Sequence, residues 1–226
     1  MEKYFDVLDT CPLFYQVGRE NYGKMLRCFG ARMMSIKKGH TVFHEGEAAR
    51  YVGIVLTGAI QTVHDDYLGN RSILSMAIPG QLFAEGFACA GIESMPVRMV
   101  AAADSTIMLI DCSHITTLCQ HVCGFHNQMI RNMLASVARS NLQLNQKIEI
   151  LSKRTTREKV MSYLLSEAAI HGSDEFTIPY DRQELADFLG VERSAMSTVI
   201  GQLRDDGYIK VNRRHFQLIR NQKNQA

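Results

Sequence analysis

Four polar side chains near residue 195 have the types and the spacing to contact nucleic-acid bases. Arginine can donate two hydrogen bonds to guanine, and serine and threonine hydroxyls can bind bases or phosphates. The apolar residues Met196, Ile200 and Leu203 recur at helical spacing, which predicts a helix from about residue 193 to 206 that buries them. The residues left on the outer face near the start of this helix are Arg193, Ser194, Ser197 and Thr198.

Another helix is predicted immediately before this one, with a tight turn between the two. Asp181 can cap a helix from 182 to 189 whose apolar residues share one face. Gly190 then supplies the left-handed residue that a sharp turn requires. Helix-turn-helix proteins present their base-contacting residues at the start of the second helix. The pattern therefore predicts a DNA-binding helix-turn-helix, and Arg182 and Gln183 are further candidate DNA contacts.

A short β-hairpin with a basic tip is predicted after the two helices. Its strands run from Tyr208 to Val211 and from Phe216 to Ile219, and the tip between them carries Arg213 and Arg214. Such a hairpin is typical of the wing of a winged helix, where arginines neutralise phosphates without reading the sequence. The alternative is a helical hairpin that arises by chance, and it does not account for the basic tip.

Cysteine and histidine side chains recur near residue 120 at a spacing that one helix face could bring together. They are Cys112, Cys119, Cys123 and His126. Cys119 and Cys123 lie four residues apart and could share a metal or respond to oxidation. Gly124 would bend such a helix, so we prefer to interpret these residues as packing and assign no metal ligand. A redox- or metal-sensing role for Cys112, Cys119 and Cys123 stays open as an alternative.

Motifs of the common enzyme classes do not occur in the sequence. The segment from His44 to Ala48 begins like a zinc-protease motif but lacks the second histidine at position 48. The sequence contains neither a glycine-rich phosphate loop with its lysine nor a Gly-x-Ser-x-Gly nucleophile elbow. We therefore expect that the protein is not an enzyme.

The segments that must position these residues change character along the chain. From residue 32 to 111, short alternating or apolar runs are separated by glycines, which predicts a small antiparallel β roll. Residues 1–30 are expected to form short helices packed against it. The pattern is helical from about 124 to 152, and from 155 onward it predicts helix, strand, helix, turn, helix and hairpin.

The predicted helix between 124 and 152 carries residues spaced by fours and threes, which is the rhythm of a coiled-coil seam. These residues are Ile130, Leu134, Val137, Asn141, Leu144, Ile148 and Leu151. One such helix is best explained by pairing with a second copy of the chain. Asn141 could fix the register of that pair or face a ligand. The alternative is a long helix that lies on its own roll.

The length and the net charge of the chain limit the number of domains and the inferences about its partners. The chain has 226 residues, enough for two domains that each bury a core. The net charge of +2 does not reveal a nucleic-acid binder, although residues 153–226 hold 12 Lys and Arg against 10 Asp and Glu. The first residues lack the apolar run of a signal peptide, and no stretch reaches the roughly 18 apolar residues of a membrane span. We expect a cytoplasmic protein.

Taken together, these motifs resemble the CRP/FNR family of bacterial transcription regulators, named after the cyclic-AMP receptor protein and the fumarate–nitrate regulator. The resemblance covers nearly the whole chain. It is carried by Lys38-Gly39, Glu45-Gly46-Glu47, Val55-Leu56-Thr57-Gly58, Pro79-Gly80-Gln81-Leu82-Phe83, Arg182 to Ala186, Leu189 to Ser194 and Asp206-Gly207-Tyr208-Ile209. It implies a homodimer, an effector pocket in each roll, a hinge that repositions the recognition helices and a two-fold-related operator on double-stranded DNA. An activator of this type would also contact RNA polymerase.

The resemblance also implies the architecture. The expected fold class is α+β, with an N-terminal double-stranded β-helix of the cyclic-nucleotide-binding type, a long dimerisation helix and a C-terminal winged helix-turn-helix. On this basis, residues 1–123 form the effector-binding roll with its short flanking helices. Residues 124–153 form the dimerisation helix, and residues 154–226 form the DNA-binding domain.

The effector pocket departs from the pattern of family members that bind cyclic AMP. Those members carry Phe-Gly-Glu and then, on the next strand, Arg-Ser or Arg-Thr, which hold the cyclic phosphate. Here Ala84 replaces the glycine, Met95 falls at the arginine position, and the purine-reading position falls near Leu144. The resemblance thus predicts a more apolar pocket from Phe83, Ala84, Glu85, Gly86, Phe87, Met95, Pro96, Val97, Leu144 and Asn145. The expected effector is an unidentified small molecule rather than cyclic AMP.

The recognition helix departs from the family pattern as well. Many members show Glu-x-x-Ser-Arg or Glu-x-x-Gly-Arg there, whereas this chain has Ser194-Ala195-Met196-Ser197-Thr198. The resemblance therefore implies an operator sequence of its own. A small-molecule-binding module with a vestigial DNA domain is the remaining alternative.

Overall fold

The computed structural model describes residues 2–116 and 125–219. Contacts between residues divide the chain into two units, residues 1–142 and 143–226. Among the described residues, no helix is both long enough and apolar enough to cross a membrane.

Two four-stranded antiparallel sheets make up most of the first unit. The strands are β1 (Arg32–Ile36), β2 (Thr41–Phe43), β3 (Tyr51–Thr57), β4 (Ile60–Asp65), β5 (Arg71–Ala77), β6 (Leu82–Phe83), β7 (Arg98–Ala101) and β8 (Ser105–Asp111). One sheet has the order β1-β8-β3-β6 and the other the order β2-β7-β4-β5. The chain passes from one sheet to the other after β1, β2, β3, β5, β6 and β7, as in a double-stranded β-helix. The predicted β roll is confirmed.

The strands β3 and β8 are buried on both faces, because each lies between two hydrophobic clusters. Successive side chains of a strand point to opposite faces. Ile54 and Met108 therefore pack in a cluster with the N-terminal helices α1 (Phe5–Asp9) and α2 (Tyr22–Cys28), as predicted for residues 1–30. Their neighbours Val55 and Ile107 belong to the second cluster, which fills the interior of the roll.

Three helices follow or interrupt the strands: α3 (Glu85–Ala90), α4 (Cys112–Thr116) and α5 (His126–Leu151). The first turns of α5 pack on the N-terminal cluster through Met129 and Met133. On the same face, the side-chain amide of Asn132 donates hydrogen bonds to the carbonyl oxygens of Leu13 (2.8 Å) and Tyr15 (2.7 Å). This face of α5 is therefore committed to its own chain.

The predicted seam on α5 is largely exposed within a single chain. Leu134, Leu144 and Ile148 expose 71%, 54% and 61% of their surface. Val137, in contrast, packs against the N-terminal cluster, so the seam and the intrachain face share this residue. An apolar row of this length on a helix is a surface that burial against a second helix would stabilise.

The second unit contains three further α-helices and a three-stranded sheet. Its elements are α6 (Thr156–His171), β9 (Glu175–Thr177), α7 (Arg182–Leu189), α8 (Arg193–Asp205), β10 (Ile209–Asn212) and β11 (His215–Leu218). The sheet order is β10-β11-β9. Thr155 caps α6 through a reciprocal capping box with Glu158. The order of elements confirms the predicted winged helix-turn-helix.

Candidate nucleic-acid interface and effector pocket

The turn between α7 and α8 is fixed by local chemistry that the sequence specifies. The side chain of Asp181 accepts a hydrogen bond from the Glu184 backbone nitrogen (2.9 Å), and the Asp181 nitrogen donates to the Glu184 carboxylate (2.7 Å). This capping box sets the start of α7. Gly190 ends the helix at φ +59°, a left-handed backbone that favours glycine. The α8 helix then begins at Arg193.

The outer face of α8 carries the four predicted base-reading residues. Arg193, Ser194, Ser197 and Thr198 are all exposed, whereas Met196 is buried one turn in from the helix start. The Thr198 hydroxyl donates a hydrogen bond to the Ser194 carbonyl oxygen at 3.0 Å, and its oxygen keeps acceptor capacity. The structure therefore gathers one guanidinium and three hydroxyls over two turns of one helix face.

The wing is a hairpin whose two-residue loop is Arg213-Arg214, since Asn212 pairs with His215 across the strands. Arg213 adopts φ +55°, as two-residue hairpin loops require. The Arg214 guanidinium lies 3.5 Å from the Glu184 carboxylate and 3.9 Å from that of Asp181. Arg214 thus links the wing to the start of α7, while both arginines remain on the surface.

Arg182 and Gln183 lie in the first turn of α7. The Arg182 guanidinium stacks over the ring of Phe216 in β11, at 5.3 Å from the ring centre. Burial lowers the pKa of Arg182, because desolvation penalises its charged form. The Gln183 amide donates to the Asp187 carboxylate at 2.8 Å. The structure thus places Arg182 against an aromatic ring of the wing and Gln183 against a carboxylate one turn along α7.

Lys147 is a residue that the sequence analysis missed. Its ammonium lies 3.9 Å from the ring centre of Phe188, so the last part of α5 contacts the first helix of the helix-turn-helix. Burial lowers the pKa of Lys147 to about 8. The Phe188 ring also stacks on Tyr180, with ring centres 4.8 Å apart. A lysine in a polar stretch of helix gives no sign in the sequence that it will be buried.

Part of the predicted effector pocket is filled by its own side chains. Phe83 and Ala84 belong to the hydrophobic cluster inside the roll. The ring of Phe83 lies so close to Gly53 that a Cβ at that position would overlap it. Met95 and Val97 are buried as well.

The remaining predicted pocket residues are less enclosed. Phe87 is half-buried, and Gly86 and Pro96 are exposed. Leu144 and Asn145 are exposed and belong to the second unit. The residues that the structure does bring into one cluster are therefore Phe83 and Ala84, with Phe87 packed against its edge.

The Glu85 side chain forms a hydrogen bond with the long helix α5. Its carboxylate, 9% exposed, accepts a hydrogen bond of 2.6 Å from the Ser140 hydroxyl. The ligand-facing part of α5 was predicted near Leu144, one turn further along the helix. Ser140 on the same side of the helix was missed, although a hydroxyl one turn before Leu144 was visible in the sequence.

Ala84 occupies a backbone conformation that favours glycine, with φ +64° and ψ 0°. A left-handed conformation costs a residue with a Cβ about 1–2 kcal/mol. We expect Ala84→Gly to raise the free energy of unfolding by about 1 kcal/mol, since the relief of strain exceeds the added flexibility of the unfolded chain. Urea denaturation of the two proteins measures this difference.

Ala88→Gly is the matched control, because Ala88 lies inside the same helix α3. That change should lower the free energy of unfolding by about 1 kcal/mol. If Ala84→Gly destabilises the protein as Ala88→Gly does, the backbone at residue 84 is not strained.

The cysteine set singled out in the sequence is only partly described. Cys112 is the first residue of α4 and is buried. Cys119 and Cys123 lie outside the described residues. His126 packs edge-on against Phe29, and its Nε2 lies 2.9 Å from the Ile115 carbonyl oxygen. Within residues 2–116 and 125–219, no three His, Cys, Asp or Glu side chains gather to hold a metal ion.

Each of the two units is similar in sequence to a known family of domains. The sequence model of the cyclic nucleotide-binding domain family matches residues 33–122. The model of the Crp-like helix-turn-helix domain family matches residues 158–223.

Similar proteins include the transcriptional activator protein FnrA of Stutzerimonas stutzeri, 23% identical over 81% of this chain and 75% of that protein. The nitrogen fixation regulation protein FixK of Bradyrhizobium diazoefficiens is 25% identical over 80% of this chain and 75% of its own length. The solved structure of FixK2 from Bradyrhizobium japonicum shares the fold with a TM-score of 0.67 and 24% identity, covering 85% of this chain and 94% of that one. The matches run through the roll and the helix-turn-helix in one order, and the chain belongs to the CRP/FNR family of DNA-binding transcription regulators.

Proposed function

We propose that the protein is an effector-responsive homodimeric regulator that binds a two-fold-related operator in double-stranded DNA. The observation that carries this proposal is the outer face of α8, where Arg193, Ser194, Ser197 and Thr198 are exposed together. Polar donors at the start of the second helix of a helix-turn-helix meet base edges in the major groove. The role we infer is regulatory rather than catalytic, and it is exercised in the cytoplasm, where a bacterial operator lies.

Phosphate contacts are assigned to the wing and to the start of α7. Arg213 and Arg214 at the wing tip would neutralise phosphates flanking the base contacts, which adds affinity that falls with salt. Arg182 and Gln183 can add contacts if DNA displaces their present partners, Phe216 and Asp187. In an activator, a separate surface would contact RNA polymerase.

Dimerisation is assigned to α5. In this proposal residues 1–123 form the effector-binding roll, residues 124–153 the dimerisation helix and residues 154–226 the DNA-binding domain. The exposed seam residues Leu134, Leu144 and Ile148 would meet their counterparts on a second copy. Two copies related by a two-fold axis present two α8 helices to successive major grooves, about one helical turn of DNA apart.

The effector site is assigned to the roll beside α3, where Glu85 meets Ser140. Its remaining proposed lining is Phe83, Ala84, Gly86, Phe87, Met95, Pro96, Val97, Leu144 and Asn145. The apolar character of Phe87 and Met95 supports an effector with an apolar part. A cyclic phosphate would find methionine where the cyclic-AMP-binding members place arginine, so we propose an effector other than cyclic AMP.

Selection from a random duplex library tests this function with the full-length protein. We expect enrichment of a sequence with two inverted half-sites and a steep loss of affinity as salt rises. Added cyclic AMP should leave the affinity for that sequence unchanged. Selection is repeated with a small-molecule extract of the source cells. If no sequence is enriched in either condition, the protein is not an operator-binding regulator.

A further inference from the structure

Two thiols that the sequence analysis did not pair lie side by side. Cys89 lies in the last turn of α3, and Cys112 is the first residue of α4. Their sulfur atoms are 3.7 Å apart. Cys89 is exposed to solvent, whereas Cys112 is only 5% exposed.

A cleft of about 450 Å³ gives access to this pair. The thiols share its lining with Arg50 and Asp111, whose side chains form an ion pair of 2.6 Å. Cys89 is the exposed member of the pair and Cys112 the buried one, so a small oxidant in the cleft reaches the Cys89 sulfur first. Exposure of one thiol with a second thiol adjacent is the arrangement of a reactive cysteine and its resolving partner.

We propose that Cys89 and Cys112 form a reversible disulfide when the protein meets a hydroperoxide. A disulfide needs a sulfur–sulfur distance of about 2.05 Å, so the two atoms must approach by about 1.7 Å. Side-chain rotation moves a cysteine sulfur over distances of this order. This pair contains Cys112 of the set considered in the sequence, but its partner is Cys89 rather than Cys119 or Cys123.

The reaction consumes one hydroperoxide for each disulfide. The Cys89 thiolate attacks the terminal oxygen of the hydroperoxide, the O–O bond breaks, and an alcohol (water, if the oxidant is hydrogen peroxide) leaves with a proton from solvent. Cys89 is then a sulfenic acid. The Cys112 sulfur attacks the Cys89 sulfur, the S–O bond breaks, and the hydroxyl group leaves as water with the Cys112 proton. The two sulfurs lose two electrons, and the peroxide oxygens gain them.

The environment assigns these roles to the two sulfurs. The contact with Cys112 lowers the pKa of the Cys89 thiol and so favours its thiolate, although burial and Glu85 oppose this. The same contact raises the pKa of Cys112, and burial adds to that effect. Because Cys89 is also the exposed member of the pair, we assign it as the attacking nucleophile and the buried Cys112 as the resolving thiol.

Closing the disulfide would act on the helix that holds the effector-site glutamate. Glu85 lies four residues before Cys89, on the same face of α3, and accepts the hydrogen bond from Ser140 of α5. A covalent link from Cys89 to the start of α4 moves the end of α3 and with it the Glu85–Ser140 contact. The resulting change in operator affinity rests on the proposed function; the disulfide itself does not.

Peptide mapping of the full-length protein tests the disulfide. The reduced protein is treated with one equivalent of hydrogen peroxide, its remaining thiols are blocked, and the non-reduced digest is analysed by mass spectrometry. We expect a linked peptide pair containing Cys89 and Cys112 that dithiothreitol separates. Linkage of Cys89 to another cysteine, or its over-oxidation without any linkage, would overturn the proposal.

Three variants sharpen the test. Cys89→Ser and Cys112→Ser should each abolish the linked pair, whereas Cys28→Ser, a change at an exposed cysteine in α2, should leave it unchanged. Cys89 is exposed, so Cys89→Ser is expected to fold even if the buried change at Cys112 does not. Formation of the same linked pair in a sample denatured before oxidation, but not in the folded protein, would also contradict the proposal.

The regulatory consequence is measured on the selected operator. Oxidation should change the affinity of the wild-type protein, and dithiothreitol should restore it, while Cys89→Ser stays at the reduced value. An affinity that oxidation leaves unchanged would overturn the regulatory part although the disulfide forms. Failure of the reduced protein to bind any operator would instead refute the proposed function, and the peptide map would still decide the disulfide.

Discussion

Replacement of Arg193 by alanine is expected to weaken binding to the selected operator by about 1–3 kcal/mol, or roughly 5- to 150-fold. Arg193 is the first residue of α8 and is exposed beside Ser194 and Ser197. A guanidinium at this place can donate two hydrogen bonds to a guanine, and alanine can replace neither. Because the loss concerns a base contact, affinity for random duplex DNA should fall much less. Titration of labelled operator and random duplexes, at one salt concentration, measures both.

Variants of two further arginines distinguish the loss of a base contact from the loss of a positive charge. Arg204→Ala is the matched control, since Arg204 is also exposed on α8 but lies in its last turn beside Asp205. It should leave operator affinity nearly unchanged. Arg213→Ala should weaken binding to all sequences alike and reduce the salt dependence by about one unit of slope. If Arg193→Ala weakens operator and random DNA equally, Arg193 contacts phosphate and the assignment of base reading to it is wrong.

The helix-turn-helix was predictable because its determinants are local. Asp181 with Glu184 fixes the start of α7, Gly190 permits the turn, and the spacing of Met196 and Ile200 sets the buried face of α8. Each of these acts over fewer than eight residues, and the wing follows from the same kind of pattern. A single sequence contains such information directly.

The contacts near the effector site depend on pairs that are far apart in sequence. Ser140 meets Glu85 from 55 residues away, and Cys112 meets Cys89 from 23 residues away. Periodicity shows which side of an element is apolar, but it does not show which residue of another element lies opposite. The residues of α3 could therefore be predicted as part of the site, but their partners Ser140 and Cys112 could not.

For a related reason, the sequence could not show whether the predicted pocket residues line a cavity or fill it. An apolar side chain such as Phe83 can line a cavity or fill it, and both require the same residue type at the same position. The deciding facts are its burial, its packing in the interior cluster and its overlap with any Cβ at Gly53. All three are properties of the folded chain.

Disruption of the α5 seam by the double change Leu134→Asp and Ile148→Asp is expected to convert the proposed dimer to monomers. The two side chains lie 14 residues apart on one stripe of the helix and expose 71% and 61% of their surface in the single chain. In a two-fold dimer each change occurs twice, so four apolar side chains leave the interface. At about 1.5–3 kcal/mol for each, the loss is on the order of 6–12 kcal/mol, before the cost of bringing four carboxylates together. Sedimentation velocity across a dilution series measures the mass.

Affinity for the operator should decrease when the two copies dissociate, since a monomer can occupy only one half-site. Leu165→Asp is the matched control: Leu165 is an apolar residue of α6 that is 53% exposed but lies outside the seam, so this change should leave the mass and the operator affinity unaltered. Far-ultraviolet circular dichroism confirms that each variant keeps its helices. A double variant that still sediments as a dimer would show that the copies meet elsewhere. In that case the exposed row on α5 would need another partner, because an apolar stripe of this length is costly to leave in water.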